Sequence, residues 1–232
     1  MNGDTQKKNI IDITNINEKV YELIKKQIIS LEYPPGYQLN VRKIQEELGV
    51  SNSPIKDALF RLSGEGMVEI TSRRGTFVRD ISERDVYEIE EARILLETGA
   101  VELITDKITD DQLMELEKLY QETLFNDDQF DYEVFMEKDN LFHLKMVEFT
   151  QNEHLLDMYR KLNPHMQIVR FQFLMGQSKP LQWTNQDHLN ILTALKARDT
   201  AKAKGFVKDH LLKAREAFLQ HRKGMKAFSV SE

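Results

Sequence analysis

The chain has 232 residues, of which 30% are charged, a formal net charge of −6 and no cysteine. The missing thiols exclude disulfides and cysteine-ligated metals, and no apolar run has the length of a membrane span. The N-terminal residues lack the apolar core of a signal peptide, so we expect a cytoplasmic protein without a membrane partner.

The first part of the chain is predicted to form a small domain of three helices and a β-hairpin. Its elements are a flexible polar tail at 1–15, helices at 16–31, 41–48 and from Ser51 or Ser53 to about Leu62, and strands at 67–70 and 76–78. Asn15 or Asn17 would cap the first helix. Gly49 would end the second helix, because glycine accepts the left-handed conformation that often follows a helix.

From residue 81 onward the strand signal disappears, and six helices with short connections are predicted. They cover about 82–104, 110–125, 131–149, 153–175, 185–197 and 200–222. Capping boxes of Ser82 with Asp85 and of Thr109 with Gln112 begin the first two of these helices. Pro164 predicts a kink or a break in the fourth.

These elements predict a mainly α chain with two domains of different charge. Residues 16–80 would form the N-terminal domain, and residues 81–232 an antiparallel all-α helical bundle. Residues 1–80 contain 12 basic and 11 acidic side chains, whereas the remainder contains 20 and 27. Such a difference indicates different partners for the two domains.

The N-terminal domain has the layout of a winged helix-turn-helix. In this motif the start of the second helix contacts base edges in the major groove, and arginines at a wing tip contact phosphates or the minor groove. The residues in those places are Ser51, Asn52, Ser53, Lys56, Arg73 and Arg74. A helix–hairpin subdomain whose charges are merely solvated is the alternative.

A second pattern of polar residues lies on the interior faces of the C-terminal helices. Asp139 and His143 are four residues apart in "KDNLFHLKMVEF", so they point the same way among apolar neighbours. Buried polar groups need partners, and His188 and His210 also have apolar neighbours. One Asp and three His suit zinc, nickel, manganese or iron(II). The spacing alone does not exclude His154, His165 and His221 as alternative ligands.

Both domains resemble the GntR family of bacterial transcription regulators. The stretches "PPGYQL", "LGVSNSPIKDALFRLSGEGMVEI" and "RRGTFV" are similar to its winged helix-turn-helix. The resemblance implies DNA binding through Ser51, Asn52, Ser53 and Lys56, with Arg42, Arg74 and Gly75 near the DNA backbone or groove. Asn52 and Lys56 stand where the family commonly has arginine, which predicts an unusual operator, with adenine favoured at Asn52.

The C-terminal domain resembles the metal-binding FCD effector domain of the FadR-type branch of this family. The similar stretches are "EARILLETGAVELI", "KDNLFHLKMVEFTQNEHL", "QDHLNILTALKARDTAKA" and "VKDHL". The metal ligands that the resemblance implies are Asp139, His143, His188 and His210, with zinc as the first expected ion. The candidate residues for a small carboxylate effector are Arg93, Asn152 and Arg170. A surface salt bridge to Glu90 or Glu97 is the alternative role of Arg93.

The resulting hypothesis is a ligand-responsive DNA-binding regulator rather than an enzyme. We expect a homodimer, because two recognition helices would bind a two-fold repeat in double-stranded DNA. One alternative is a metal-dependent hydrolase, since a metal with open positions can activate water; its general base would be Glu148 or Asp187. Another alternative is a regulator whose metal has only a structural role.

Overall fold

The structure is a computed structural model that describes residues 13–124, 131–174 and 182–229. Within these ranges the chain forms nine α-helices and two β-strands, which confirms the predicted mainly α fold class. The helices are α1 (Ile13–Ile29), α2 (Val41–Leu48), α3 (Asn52–Gly64), α4 (Glu83–Ile104), α5 (Asp110–Glu122), α6 (Tyr132–Glu148), α7 (Glu153–Leu174), α8 (Gln182–Lys196) and α9 (Thr200–Ser229), and the strands are β1 (Val68–Thr71) and β2 (Gly75–Val78). None of the described helices combines the length and apolarity needed to cross a membrane. The chain divides into two compact units, Met1–Asp80 and Ile81–Glu232.

The N-terminal unit is a three-helix domain with a β-hairpin. α3 packs against α1, α2 and β1, and it buries Ile55 and Leu62 on one side while the other side stays exposed. β1 and β2 are antiparallel, with Val68 opposite Val78. Gly75 opens β2 with a φ of 110°, a conformation that favours glycine. The order of these elements is that of a winged helix-turn-helix, as predicted.

The C-terminal unit is a helical bundle built around a common apolar core. α4 packs against α6, α7 and α9, while α8 packs against α5 and α9. Amphipathic spacing turns one side of each helix inward. The fully buried core residues of α6, α8 and α9 include Phe142, Met146, Ile191, Leu195, Val207 and Leu211. These three helices therefore bring their interior faces to one region of the bundle.

Most predicted helix boundaries agree with the structure, and both predicted capping boxes are present. α1 begins at Ile13, so Asn15 and Asn17 lie inside the helix and their predicted capping roles are wrong. α7 continues through Pro164 and packs against α4, α6 and α9. Of the predicted kink or break, the break is therefore wrong, because the loss of one backbone donor at proline does not end this helix. Residues 1–12 of the predicted tail and the predicted helix end at residue 175 lie outside the described residues. α5 ends at Glu122, before the predicted end near residue 125, and α9 continues to Ser229, beyond the predicted end near residue 222.

Replacing Leu116 by alanine tests the core of the C-terminal unit. Leu116 on α5 is fully buried, whereas Met114 on the same helix is 58% exposed. We expect Leu116→Ala to lower the free energy of unfolding by about 2–5 kcal/mol, because it removes apolar contacts and leaves a cavity. Met114→Ala should change it by less than about 0.5 kcal/mol. Urea denaturation measures both values, and equal losses would contradict this placement of α5.

Candidate metal centre

Four potential metal ligands converge inside the C-terminal unit. Asp139 and His143 come from α6, His188 from α8 and His210 from α9, and one donor atom of each lies within 4.8 Å of the other three. The Nε2 atoms of His143 and His188 are 3.3 Å apart, and Asp139 Oδ1 is 3.5 Å from His188 Nε2. Donors this close together on three helices can share one metal ion.

Burial and ring packing hold these side chains in place. His143 and His188 are fully buried, and Asp139 and His210 are nearly so. Phe142 stacks on His188 with 4.4 Å between the ring centroids, and His143 stacks on His210 with 5.0 Å between theirs. Because a packed ring has few other rotamers, the apolar core fixes the directions of the donor atoms.

Carboxylates lie behind two of the imidazoles. Glu97 Oε2 on α4 is 2.7 Å from His143 Nδ1, so the Nδ1–H donates to the carboxylate and the Nε2 lone pair faces the other donors. Asp187 Oδ2 is 3.7 Å from His210 Nδ1. An outer carboxylate of this kind orients a metal-bound imidazole and increases its basicity.

The electrostatics of the site favour the protonation states that bind metal. Burial lowers the pKa of His143 to about 4, despite the opposing effect of Glu97, and burial also lowers the pKa of His188 well below its ordinary value. Burial by itself would raise the pKa of Asp139, but Arg170, whose Nη1 is 2.6 Å away, and the histidines lower it below its usual range. These two imidazoles are therefore neutral and the carboxylate is ionised at neutral pH, as coordination requires.

The donor set fits a first-row transition metal. Imidazole nitrogens and a carboxylate oxygen are ligands that zinc accepts in proteins. In the part of the chain that the structure describes, the group consists of the same four residues that the sequence singled out. It does not include His154, which is exposed on α7, or the partly buried His165 and His221.

A cavity that opens to solvent adjoins the four potential ligands. Asp139 and His210 line it, together with two of the predicted effector residues, Arg93 and Arg170. The structure does not bring the third, Asn152, to this place. Its side chain accepts a backbone hydrogen bond at the start of α7, and it lines a different cavity. Helix capping therefore accounts for the position of Asn152.

Arg93 belongs to a buried network of ion pairs. Its guanidinium donates to Glu90 Oε1 at 3.1 Å and to Glu97 Oε1 at 2.9 Å, and Tyr159 donates to the same Glu97 oxygen at 3.0 Å. The surface location considered for these ion pairs is wrong, because each of the three charged residues is at most 2% exposed. Sequence reasoning missed the roles of Glu97 and Tyr159. The i, i+4 spacing of Arg93 and Glu97 was the available signal.

The residues predicted to contact DNA all lie on the exposed surface of the N-terminal unit. They are Arg42, Ser51, Asn52, Ser53, Lys56, Arg73, Arg74 and Gly75. Asn52, Ser53 and Lys56 occupy the first two turns of α3. Glycine at position 75 also has a structural explanation, since a Cβ there would lie 2.9 Å from the Gln38 side chain.

Both parts of the chain match known protein families. The family model described as "Bacterial regulatory proteins, gntR family" matches residues 16–78, and the model described as "FCD domain" matches residues 88–213. The HTH-type transcriptional regulator YdhC of Bacillus subtilis is 29% identical over 82% of this chain and 85% of its own. The Nta operon transcriptional regulator of Aminobacter aminovorans is 28% identical over 83% and 89%, respectively. The solved structure of E. coli McbR/YncC shares the fold with a TM-score of 0.78 and 22% identity, covering 89% of this chain and 98% of its own.

Replacing His143 by alanine tests the proposed ligand group. We expect His143→Ala to weaken zinc binding at least about tenfold, since even the loss of an outer partner costs about 10–100-fold. His154→Ala removes an exposed imidazole and should leave zinc binding unchanged. Elemental analysis after dialysis measures the zinc per chain. A full zinc complement in the His143 variant would contradict the ligand assignment.

Replacing Glu97 by glutamine tests the outer partner of His143. We expect Glu97→Gln to weaken zinc binding by about 10–100-fold with all four ligands still present, because a neutral amide holds the Nδ1–H less strongly. Competition with a chromophoric chelator measures the affinity. Glu102→Gln on the exposed side of the same helix is the control and should have no effect. An unchanged affinity in the Glu97 variant would show that His143 needs no outer carboxylate.

Proposed function

Because the chain belongs to the gntR family of bacterial regulatory proteins and carries an FCD domain after its DNA-binding domain, we propose that its DNA binding responds to a small carboxylate held at a metal centre. The chain is a DNA-binding transcriptional regulator and not an enzyme, so the hydrolase alternative is dropped. This carboxylate would be the signal to which the FCD domain responds. The residues that would hold a divalent metal, zinc first, are Asp139, His143, His188 and His210.

The observation that carries the proposal is the convergence of four metal-binding side chains beside a cavity lined by arginines. Four protein ligands leave one or two positions on a five- or six-coordinate metal, and a carboxylate oxygen suits such a position. When bound, the metal supplies a positive charge that attracts the acid. Arg93 and Arg170 lie on the same cavity wall, where their ion pairs with Glu90, Glu97 and Asp139 hold guanidinium donors beside the potential ligands.

Binding at this point would involve three helices at once. Asp139 and His143 lie on α6, His188 lies on α8 and His210 lies on α9. A ligand changes the balance between two conformations only through a difference in its affinity for them. Couplings in regulated proteins are typically about 1–3 kcal/mol, which corresponds to about 5–150-fold in affinity. We propose an effect of this size on operator binding.

The DNA contacts are proposed for the exposed face of α3 and the tip of the hairpin. Asn52, Ser53 and Lys56 at the start of α3 would contact the major groove, with Arg73 and Arg74 beside the duplex. Two copies of the chain would place two α3 helices on a two-fold repeat. A homodimer on double-stranded DNA is therefore part of the proposal.

A metal with a purely structural role is the remaining alternative, and thermal melting separates the two. A chelator should lower the melting temperature in either case. Under the proposal, a small organic acid at about 100 times its dissociation constant adds about 2.7 kcal/mol of stability to the zinc-loaded chain. The same acid should have no such effect on the chelated chain or on His188→Ala. If no acid in a broad screen shifts the melting of the zinc-loaded chain, carboxylate sensing is rejected.

Replacing Lys56 by alanine tests the DNA surface. We expect Lys56→Ala to weaken binding to a duplex from the region upstream of its own gene. If Lys56 contacts a phosphate, the slope of log K against log salt concentration should fall by about 1. Lys19→Ala, which removes an exposed lysine of α1 outside the predicted surface, is the charge-matched control. Equal effects of the two substitutions in a salt titration would contradict the placement of DNA on α3.

A further inference from the structure

The cavity beside the metal ligands contains a third arginine, Arg215 of α9. Its guanidinium carbon lies 5.0 Å from the centroid of the Tyr87 ring on α4. A cation over an aromatic face is favourable and restricts the direction of the guanidinium. Arg215 is thus held at a defined place on the cavity wall, between α4 and α9.

Arg215 differs from the other two arginines of the cavity in its partners. Arg93 is paired with Glu90 and Glu97, and Arg170 is paired with Asp139. Within residues 13–124, 131–174 and 182–229, no carboxylate pairs with Arg215, and its buried Nε has no hydrogen-bond partner. A buried N–H without a partner costs about 1–3 kcal/mol. An anion that enters the cavity would remove this cost.

The charge balance of the cavity indicates how many charges that anion carries. The three arginines are balanced by the three carboxylates that contact Arg93 and Arg170, namely Glu90, Glu97 and Asp139. A divalent metal on the four ligands would then leave two positive charges without compensation. Uncompensated charge away from bulk water is strongly unfavourable. A ligand with two negative charges neutralises the site, whereas a ligand with one does so only in part.

We propose that the effector is a small dicarboxylate, with one carboxylate at the metal and the second paired with Arg215. This inference rests on the proposed function and narrows its ligand class. A guanidinium binds a carboxylate through two parallel N–H···O hydrogen bonds. A monocarboxylate satisfies the metal but leaves Arg215 unpaired, so the cavity should distinguish the two kinds of acid.

Calorimetric titration of the zinc-loaded full chain tests the proposal with acids matched in chain length. The pairs are succinate with butyrate, glutarate with pentanoate and adipate with hexanoate. We expect one diacid or more to bind at least about tenfold more tightly than its monoacid partner, as the cost of an unpaired donor implies. Arg215→Gln should reduce this preference to about threefold or less without changing the zinc content. Lys208→Gln, which removes an exposed charge from the same helix, should keep the preference.

The possible outcomes separate this inference from the proposed function. Equal binding of diacids and monoacids by the unmodified chain overturns the inference but leaves carboxylate sensing intact. A full diacid preference in Arg215→Gln overturns the role of Arg215. Binding of no acid at all rejects the proposed function, and this inference with it. If Arg215→Gln does not fold, Arg215→Met replaces it: methionine keeps an unbranched side chain but removes the charge and the N–H donors, so an undiminished preference there also overturns the proposal.

Discussion

The C-terminal unit depends on charged groups that are removed from water and must satisfy one another. Glu97 lies at the centre of this network, where it accepts hydrogen bonds from Arg93, Tyr159 and His143. Breaking a buried charge pair costs about 3–5 kcal/mol, because the remaining partner stays desolvated. The network therefore has to form together with the apolar core around it. One consequence is that His143 holds its Nε2 toward the Nε2 of His188, so the contact that stabilises α4 against α6 also orients two of the potential metal ligands.

Much of this site could be predicted from the sequence, but the reasons for success differ between residues. Helical spacing alone placed Asp139 and His143 on one face, whereas the choice of His188 and His210 over His154, His165 and His221 came from a family resemblance. Periodicity identifies the buried side of a helix but not which buried groups meet across helices. The Arg93–Glu97 pair shows the same limit, because i, i+4 spacing stabilises a surface ion pair as readily as a buried one. The start of α1 was missed because sequence signals locate a helix end only to within a few residues. The continuity of α7 was missed because tertiary context can override the local preference of proline.

The two units have different chemistry, which matches the two tasks of a ligand-controlled regulator. The N-terminal unit exposes short polar side chains at the start of α3 and two arginines in its hairpin. The C-terminal unit hides its functional groups: donors from α6, α8 and α9 meet beside a cavity whose wall carries Arg93, Arg170 and Arg215. A site that joins three helices is suited to regulation, since any ligand that prefers one helix arrangement shifts the population toward it. Under the proposal for Arg215, the arginine on α9 would let the same site select among acids.

X-ray absorption spectroscopy of the zinc-loaded chain can establish whether one metal ion is held jointly by α6, α8 and α9. We expect zinc coordinated by three imidazole nitrogens at about 2.0–2.1 Å and by carboxylate oxygen at about 2.0–2.2 Å. The multiple-scattering pattern of imidazole should weaken in His188→Ala and remain unchanged in His154→Ala. A spectrum of oxygen ligands without imidazole scattering, or one that His188→Ala does not alter, would show that the three helices do not share a zinc ion.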